Sequence, residues 1–139
     1  MSQKLLPALR DISQAQPALA GARLGLIFDL ADLAGIVDVA AVTWRAQIRP
    51  AAGHPVVLYE WKSGGSAAFP ASETSVDPAG SKIRLGAASI ETRTYFSALL
   101  QAEYPSPWRI ELGFYRPEAP DDFVAIGVGD FPVSPGVVA

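Results

Sequence analysis

Val42-Thr43-Trp44-Arg45-Ala46-Gln47-Ile48-Arg49 is the stretch whose reading decides the fold. Val42, Trp44, Ala46 and Ile48 occupy every second position, with Thr43, Arg45, Gln47 and Arg49 between them. Successive side chains of a strand point to opposite faces, so this pattern makes a strand with one buried and one wetted face. Behind it, Pro50-Ala51-Ala52-Gly53-His54-Pro55 has the chemistry of a turn, because proline cannot donate to a ladder and glycine tolerates positive φ. Residues 56–61 alternate again, and the two runs are predicted to pair as a hairpin.

Working outward, residues 23–30 place Leu24, Leu26, Phe28 and Leu30 on one face, with Gly25, Ile27 and Asp29 on the other. Residues 63–81 hold Gly64, Gly65, Pro70, Pro78 and Gly80 among small polar residues and predict the longest loop or an irregular edge. A short strand follows at 82–85. The near-helical spacing from Ile90 to Gln101 predicts one short helix with Ser89 as its N-cap, stopped by Pro105 and Pro107. Residues 107–116 alternate as a strand. A last strand over 123–128 and 131–133 is interrupted at Gly127-Val128-Gly129-Asp130, where glycines mark a bulge or a close backbone approach. Six or so strands with one helix predict a mainly β fold, an antiparallel sandwich, and do not fit βαβ alternation.

The chain has 139 residues, enough for one domain. Half of them are apolar and 18% are charged, which excludes disorder as the bulk state. A net charge of −3 gives no basic footprint for nucleic acid or for an anionic membrane. Zero cysteines remove disulfides, thiolate metal sites and thiol nucleophiles. The apolar run 18–42 is long enough to span a bilayer, but Arg23, Asp29, Asp32 and Asp38 interrupt it at about 2.5–3.5 kcal/mol each. Lys4 is followed by only two leucines before Pro7, so no signal peptide is read and a cytoplasmic origin is expected.

Leu5, Leu6, Leu9 and Ile12 follow helical spacing, whereas the chain after Arg23 follows strand spacing. Residues 1–22 are therefore expected to form an N-terminal arm docking on a partner, hinged near Pro17, with residues 23–139 as the sandwich domain. The alternative is that the segment folds back over an open edge of its own sandwich as a lid or extra strand.

Candidates for chemistry are few. His54 is the one histidine and lies in a turn, and no serine sits in a Gly-x-Ser-x-Gly elbow. Asp29, Asp32 and Asp38 lack the register of a calcium loop. Glu60 and Glu111 are read on opposite-facing registers that do not pair. The glycines at 64–65 and 127–129 have neither P-loop nor dinucleotide-fold context. No catalytic residue, metal or cofactor is expected. Trp44 and Trp108 read as core. Tyr59 and Trp61 share a register that makes either an exposed patch for a partner or sugar, or a second buried face. Arg45, Arg49, Arg84 and Arg109 read as outward, pairing with Glu111 and other acids.

The order of segments carries a resemblance. Leu-Ala-Asp-Leu-Ala-Gly at 30–35, then Arg45-Ala46-Gln47-Ile48-Arg49, then Gly53-His54-Pro55 is similar to the "dLtG", "A-Q-I-R" and "G-x-P" succession of small tailed-phage virion proteins. Ser81-Lys82-Ile83-Arg84-Leu85, Ile90-Glu91-Thr92, Trp108-Arg109-Ile110-Glu111-Leu112 and the closing run 129–138 resemble their later strands and helical turn. No aspartate precedes Leu112, Val138 stands where threonine is usual, and residues 63–81 have no counterpart. The resemblance implies an immunoglobulin-like β-sandwich of a phage tail or baseplate, like the N-terminal attachment domain of baseplate fibre and receptor-binding components. It implies a non-enzymatic structural adaptor in the virion tail, assembled in the host cytoplasm. Its partners would be other tail or baseplate proteins in symmetry-related copies, with no nucleic acid and no membrane, contacted through Leu5, Leu6, Leu9, Ile12, Tyr59 and Trp61. The alternative function is a ligand-binding, carbohydrate-directed β-sandwich module using Tyr59 and Trp61.

Overall fold

The alternating stretch is strand β4 (Thr43–Arg49), and it lies in the middle of the larger sheet. The structure, a computed structural model, describes residues 9–33, 35–77 and 81–136. The other strands are β1 (Arg10–Asp11), β2 (Ala18–Leu19), β3 (Leu24–Asp29), β5 (Tyr59–Lys62), β6 (Glu73–Asp77), β7 (Lys82–Ala87), β8 (Trp108–Tyr115), β9 (Val124–Phe131) and β10 (Val133–Ser134). Helices α1 (Ser89–Tyr95) and α2 (Ala98–Glu103) lie between β7 and β8, and a one-turn 3₁₀ helix, Ala31–Leu33, follows β3. Among the described residues, no helix is long and apolar enough to cross a membrane.

The strands make a five-stranded sheet in the order β1-β9-β8-β4-β5, a three-stranded sheet β3-β7-β6 and a two-stranded pair β10-β2. β4 and β5 form the expected hairpin, with Ala46 opposite Trp61 and Ile48 opposite Tyr59. One core serves the two larger sheets. Trp44, Trp61, Trp108, Ile48 and Ile110 come to it from one side and Leu26, Ile83 and Leu85 from the other. The Trp61 indole N–H donates to the Gly86 carbonyl at 2.9 Å, tying the sheets together across that core.

Several expectations are corrected. The fold is mainly β, but its sheets are mixed, because β1 runs parallel to β9 and β2 parallel to β10. Of the two readings of 63–81, loop or irregular edge, part is an edge: the polar sequence Glu-Thr-Ser-Val-Asp forms β6, paired along β7. The single helix is two: the chain breaks where Phe96 turns fully into the core, and Ser97 then caps α2 by accepting the Leu100 amide. Ser89 caps nothing, since the N-cap of α1 is Ala88, without a side-chain bond. β9 is continuous through its glycines, which mark the close backbone approach and not a bulge: the Ile12–Ser13 backbone lies against Gly129. Its irregularity lies at Ile126, skipped between the pairs Leu112↔Gly127 and Gly113↔Ala125.

Residues 10–22 do not stand apart as a helical arm. The Ile12 amide donates to the Val128 carbonyl at 3.0 Å, Gln14 to Asp130 at 2.9 Å, Ala18 to Pro132 at 2.9 Å and Ala20 to Ser134 at 3.1 Å. Ile12 is 7% exposed and belongs to the core. The physical reason is competition. A short segment between two prolines is marginal as a helix, while the open edge of β9 and β10 offers ready backbone partners and a cavity for one isoleucine, worth about 1.5–3 kcal/mol buried. The hydroxyl of buried Thr92 completes the attachment, accepting from the Gly21 amide at 3.0 Å and donating to the Ala22 carbonyl at 2.8 Å. Leu5 and Leu6 lie outside the described residues.

Candidate functional site

Alternation along β5 sends Tyr59 and Trp61 into the interior, where both are 0% exposed. The Tyr59 ring packs edge-on to Trp61 at 4.9 Å and against Phe69, also at 4.9 Å, and Tyr95 at 5.3 Å. Its hydroxyl donates to the Glu91 carboxylate at 3.0 Å. Burial, followed by that carboxylate, holds the phenol protonated well above the usual tyrosine range. The expected aromatic patch for a partner or sugar is thus corrected to the buried alternative. Of the apolar N-terminal residues within the described part, Ile12 is buried and Leu9 is 53% exposed.

The acids at the end of β3 serve turns. Asp29 accepts the Ala31 amide at 2.9 Å, Asp38 the Ala40 amide at 3.2 Å, and Asp32 pairs with Arg10 at 2.6 Å. The hydrogen bond from the Arg10 guanidinium holds the Asp32 carboxyl below the usual carboxylate range. Among the described residues, no group of three or more His, Cys, Asp or Glu side chains could hold a metal ion. His54 Nδ1 accepts the Val56 amide at 3.1 Å, and its ring stands edge-on to Tyr104 at 5.8 Å.

Glu60 and Glu111 do share a face: both pair across from Gln47, one on each side of β4. Their backbones are two strand spacings apart, about 9.6 Å. The Glu60 carboxylate is already engaged by the Gln47 amide at 2.6 Å and the Ser66 hydroxyl at 2.9 Å. The Gln47 carbonyl in turn accepts from Arg49 at 2.7 Å, so the row is a satisfied ladder that pins the 63–66 turn to the sheet. Of the arginines expected to pair with Glu111 and other acids, Arg109 does pair with an acid, while Arg45 and Arg49 find other partners. Arg45 stacks on the Phe123 ring at 4.2 Å, Arg49 binds the His54 carbonyl at 2.6 Å, and Arg109 pairs with Asp130 at 3.2 Å. Stacking wins for Arg45 because Phe123 lies across Gly113, where a Cβ would come within 2.8 Å of the ring, and so covers the sheet beside it.

The outer face of β3-β7-β6 is different. The register brings Gly25 opposite Gly86, with Glu73 beyond, then Ile27 opposite Arg84 opposite Ser75, then Asp29 opposite Lys82 opposite Asp77. Two adjacent glycines leave the first row without side chains. Over Gly86 arches a two-bonded ion pair, Arg23 to Glu73 at 3.1 and 2.5 Å, which draws the Glu73 carboxyl below its usual range. A Cβ built on Gly25 would meet nothing within 4 Å. The result is an open groove of about 770 Å³ with a bare backbone floor. Ile27, 62% exposed, stands at its side. The Arg84 side chain has no hydrogen-bond or ion-pair partner among the described residues. Sequence reading placed Gly25 and Ile27 on the outward face of β3, but the pairing of Gly25 with Gly86 joins residues 61 apart and has no local signal. The one available cue was a large aliphatic residue at an outward position.

No protein-family model matches the chain, and no curated protein sequence matches it. The functional reading therefore rests on geometry: an open groove, a free guanidinium and an exposed isoleucine, an arrangement suited to contact with another surface.

Proposed function

We propose that the chain is a non-enzymatic docking protein with an immunoglobulin-like β-sandwich fold, acting as a structural adaptor in the tail or baseplate of a tailed phage or phage-derived particle. Strand order is the observation that carries the reading. With β1, β3, β4, β5, β6, β7, β8 and β9 taken as successive strands A′, B, C, C′, D, E, F and G, the sheets become A′-G-F-C-C′ and B-E-D. That is the partition of a variable-type immunoglobulin domain, with C′ added to the G-F-C sheet. Trp44, fully buried on the strand in the C position, supports it as well, since that position carries the buried tryptophan of immunoglobulin domains. The usual inter-sheet disulfide has no counterpart, because the chain has no cysteine. Trp44 instead packs edge-on to Phe114 at 5.3 Å and donates its indole N–H to the Val39 carbonyl at 2.9 Å.

The phage assignment draws on the segment order that resembles tail proteins, whose counterparts, among the described residues, fall on the 3₁₀ turn, β4, the following turn, β7, α1, β8 and the end of β9 with β10 in sequence. The carbohydrate alternative has lost the two aromatic side chains it relied on to the core. Quantitative mass spectrometry of purified particles from a host expressing the chain tests the reading. The expected result is a fixed, integral ratio of this chain to the tail proteins. Particles that assemble and infect without the chain would overturn it.

A further inference from the structure

We infer that the outer face of β3-β7-β6 is an isologous homodimer interface, in which Ile27 of each copy enters the glycine groove of the other. The inference goes beyond the docking role above and does not depend on the phage assignment. Shape and charge carry it together.

The face holds a protrusion and a depression side by side. Ile27 is the protrusion; Gly25, two residues back along the same strand, is the depression, walled on its β7 side by the Arg23–Glu73 pair over Gly86. A twofold axis lying across the strands between positions 25 and 27 exchanges those positions while turning one face onto the other. It therefore lays each Ile27 over the other copy's Gly25. A surface with only a knob, or only a hole, would need a different partner; this one carries both, as a self-complementary contact does.

Charge agrees. Arg23, Lys82 and Arg84 are matched on the same face by Asp29, Glu73 and Asp77, so two copies meet without net repulsion. The same axis carries Arg84, whose side chain has no ionic partner of its own among the described residues, toward the row of the other copy that bears the Arg23–Glu73 ion pair, where it can share the Glu73 carboxylate with Arg23. An acidic peptide would satisfy Arg84 but would meet Glu73, Asp29 and Asp77 as like charges, which favours a mixed-charge partner such as a second copy.

The contact is small. Three strands and about five residues give a footprint of about 10 by 17 Å, below the roughly 800 Å² per partner of a stable interface. The dimer is accordingly weak in free solution, with Kd of about 10–1,000 µM, and gains strength where copies are held together.

Sedimentation velocity of the full chain from about 10 µM to about 1 mM is the test, with Ile27→Asp and Gly25→Phe alongside. Both side chains point into open space, and Gly25 has no positive φ, so both variants should keep the wild-type melting temperature within a few degrees. The expected result is a rise toward twice the monomer mass in the wild type and a Kd raised about tenfold or more in each variant. A wild type that stays monomeric throughout overturns the inference. So does a dimer that neither substitution weakens, which would place self-association on another surface.

Discussion

Two pairs of glycines in this molecule do opposite things. Gly127 and Gly129 on β9 are bare strand positions over which the chain's own N-terminal segment lies. A Cβ on Gly127 would sit 2.8 Å from Ile12, and one on Gly129 would overlap the Ser13 backbone. Gly25 and Gly86 on β3 and β7 also lack side chains; the Arg23–Glu73 ion pair arches over Gly86, while above Gly25 there is nothing. The first pair shows what such a depression is for when it is filled: backbone approaches closely, an isoleucine enters, and an exposed edge is paired. The second has the same form with its own isoleucine standing outside it.

The sharpest way to break the comparison is to fill each depression. Gly129→Val should cost about 3 kcal/mol or more, because the new side chain displaces backbone at Ser13 and unseats the N-terminal strand; a denaturant midpoint close to wild type would show that the strand is dispensable. Ile12→Ala probes the same contact from the other side. It should lose about 2–4 kcal/mol, the range of a large-to-small change in a core, in a urea titration with unchanged slope. A loss under about 0.5 kcal/mol would return residues 10–22 to the status of an independent arm. Gly25→Val, on the open side, should change stability by no more than about 0.5 kcal/mol in either direction.

The smallest effect separates the ion pairs. Glu73 and Asp32 are both held below the ordinary carboxylate range by their arginine partners, Arg23 and Arg10. A depressed folded-state value means that the unfolded chain takes up protons first as pH falls. Their stabilisation is therefore present above the ordinary carboxylate range and is lost on acidification toward the depressed values. Melting temperature against pH should fall less steeply on its acid limb in Asp32→Asn and in Glu73→Gln than in the wild type. Only Asp32→Asn should also increase hydrogen exchange at Ile12, since Arg10 begins the N-terminal strand while Arg23 lies over the open groove.

Much of the fold is legible locally. β4, β5, β8 and the inward face of β3 follow from alternation, and the turn at 50–55 from proline and glycine. The site is not legible in that way. Tyr59 and Trp61 alternate as well as any half-exposed pair would; what covers Tyr59 is a second layer, Phe69 with α1, and Trp61 reaches Gly86 of β7 across the core. β6 could not be told from a loop because an edge strand needs few apolar residues, and Glu73, Ser75 and Asp77 are compatible with a loop until β7 offers its hydrogen bonds.

By itself the sequence determined a mainly β chain without cysteine chemistry, with its strand periods, its turns and the inward side of most strands, because those depend on the two-residue repeat of an extended backbone and on the φ preferences of glycine and proline. The tertiary structure alone decided the parallel attachment of residues 10–19, the sharing of Gln47 between Glu60 and Glu111, and the meeting of Gly25 with Gly86. Each of these is a pairing between residues far apart in the chain. Which partner an edge or a bare backbone finds is set by the competition among all available surfaces at once, and no local pattern records the outcome of that competition.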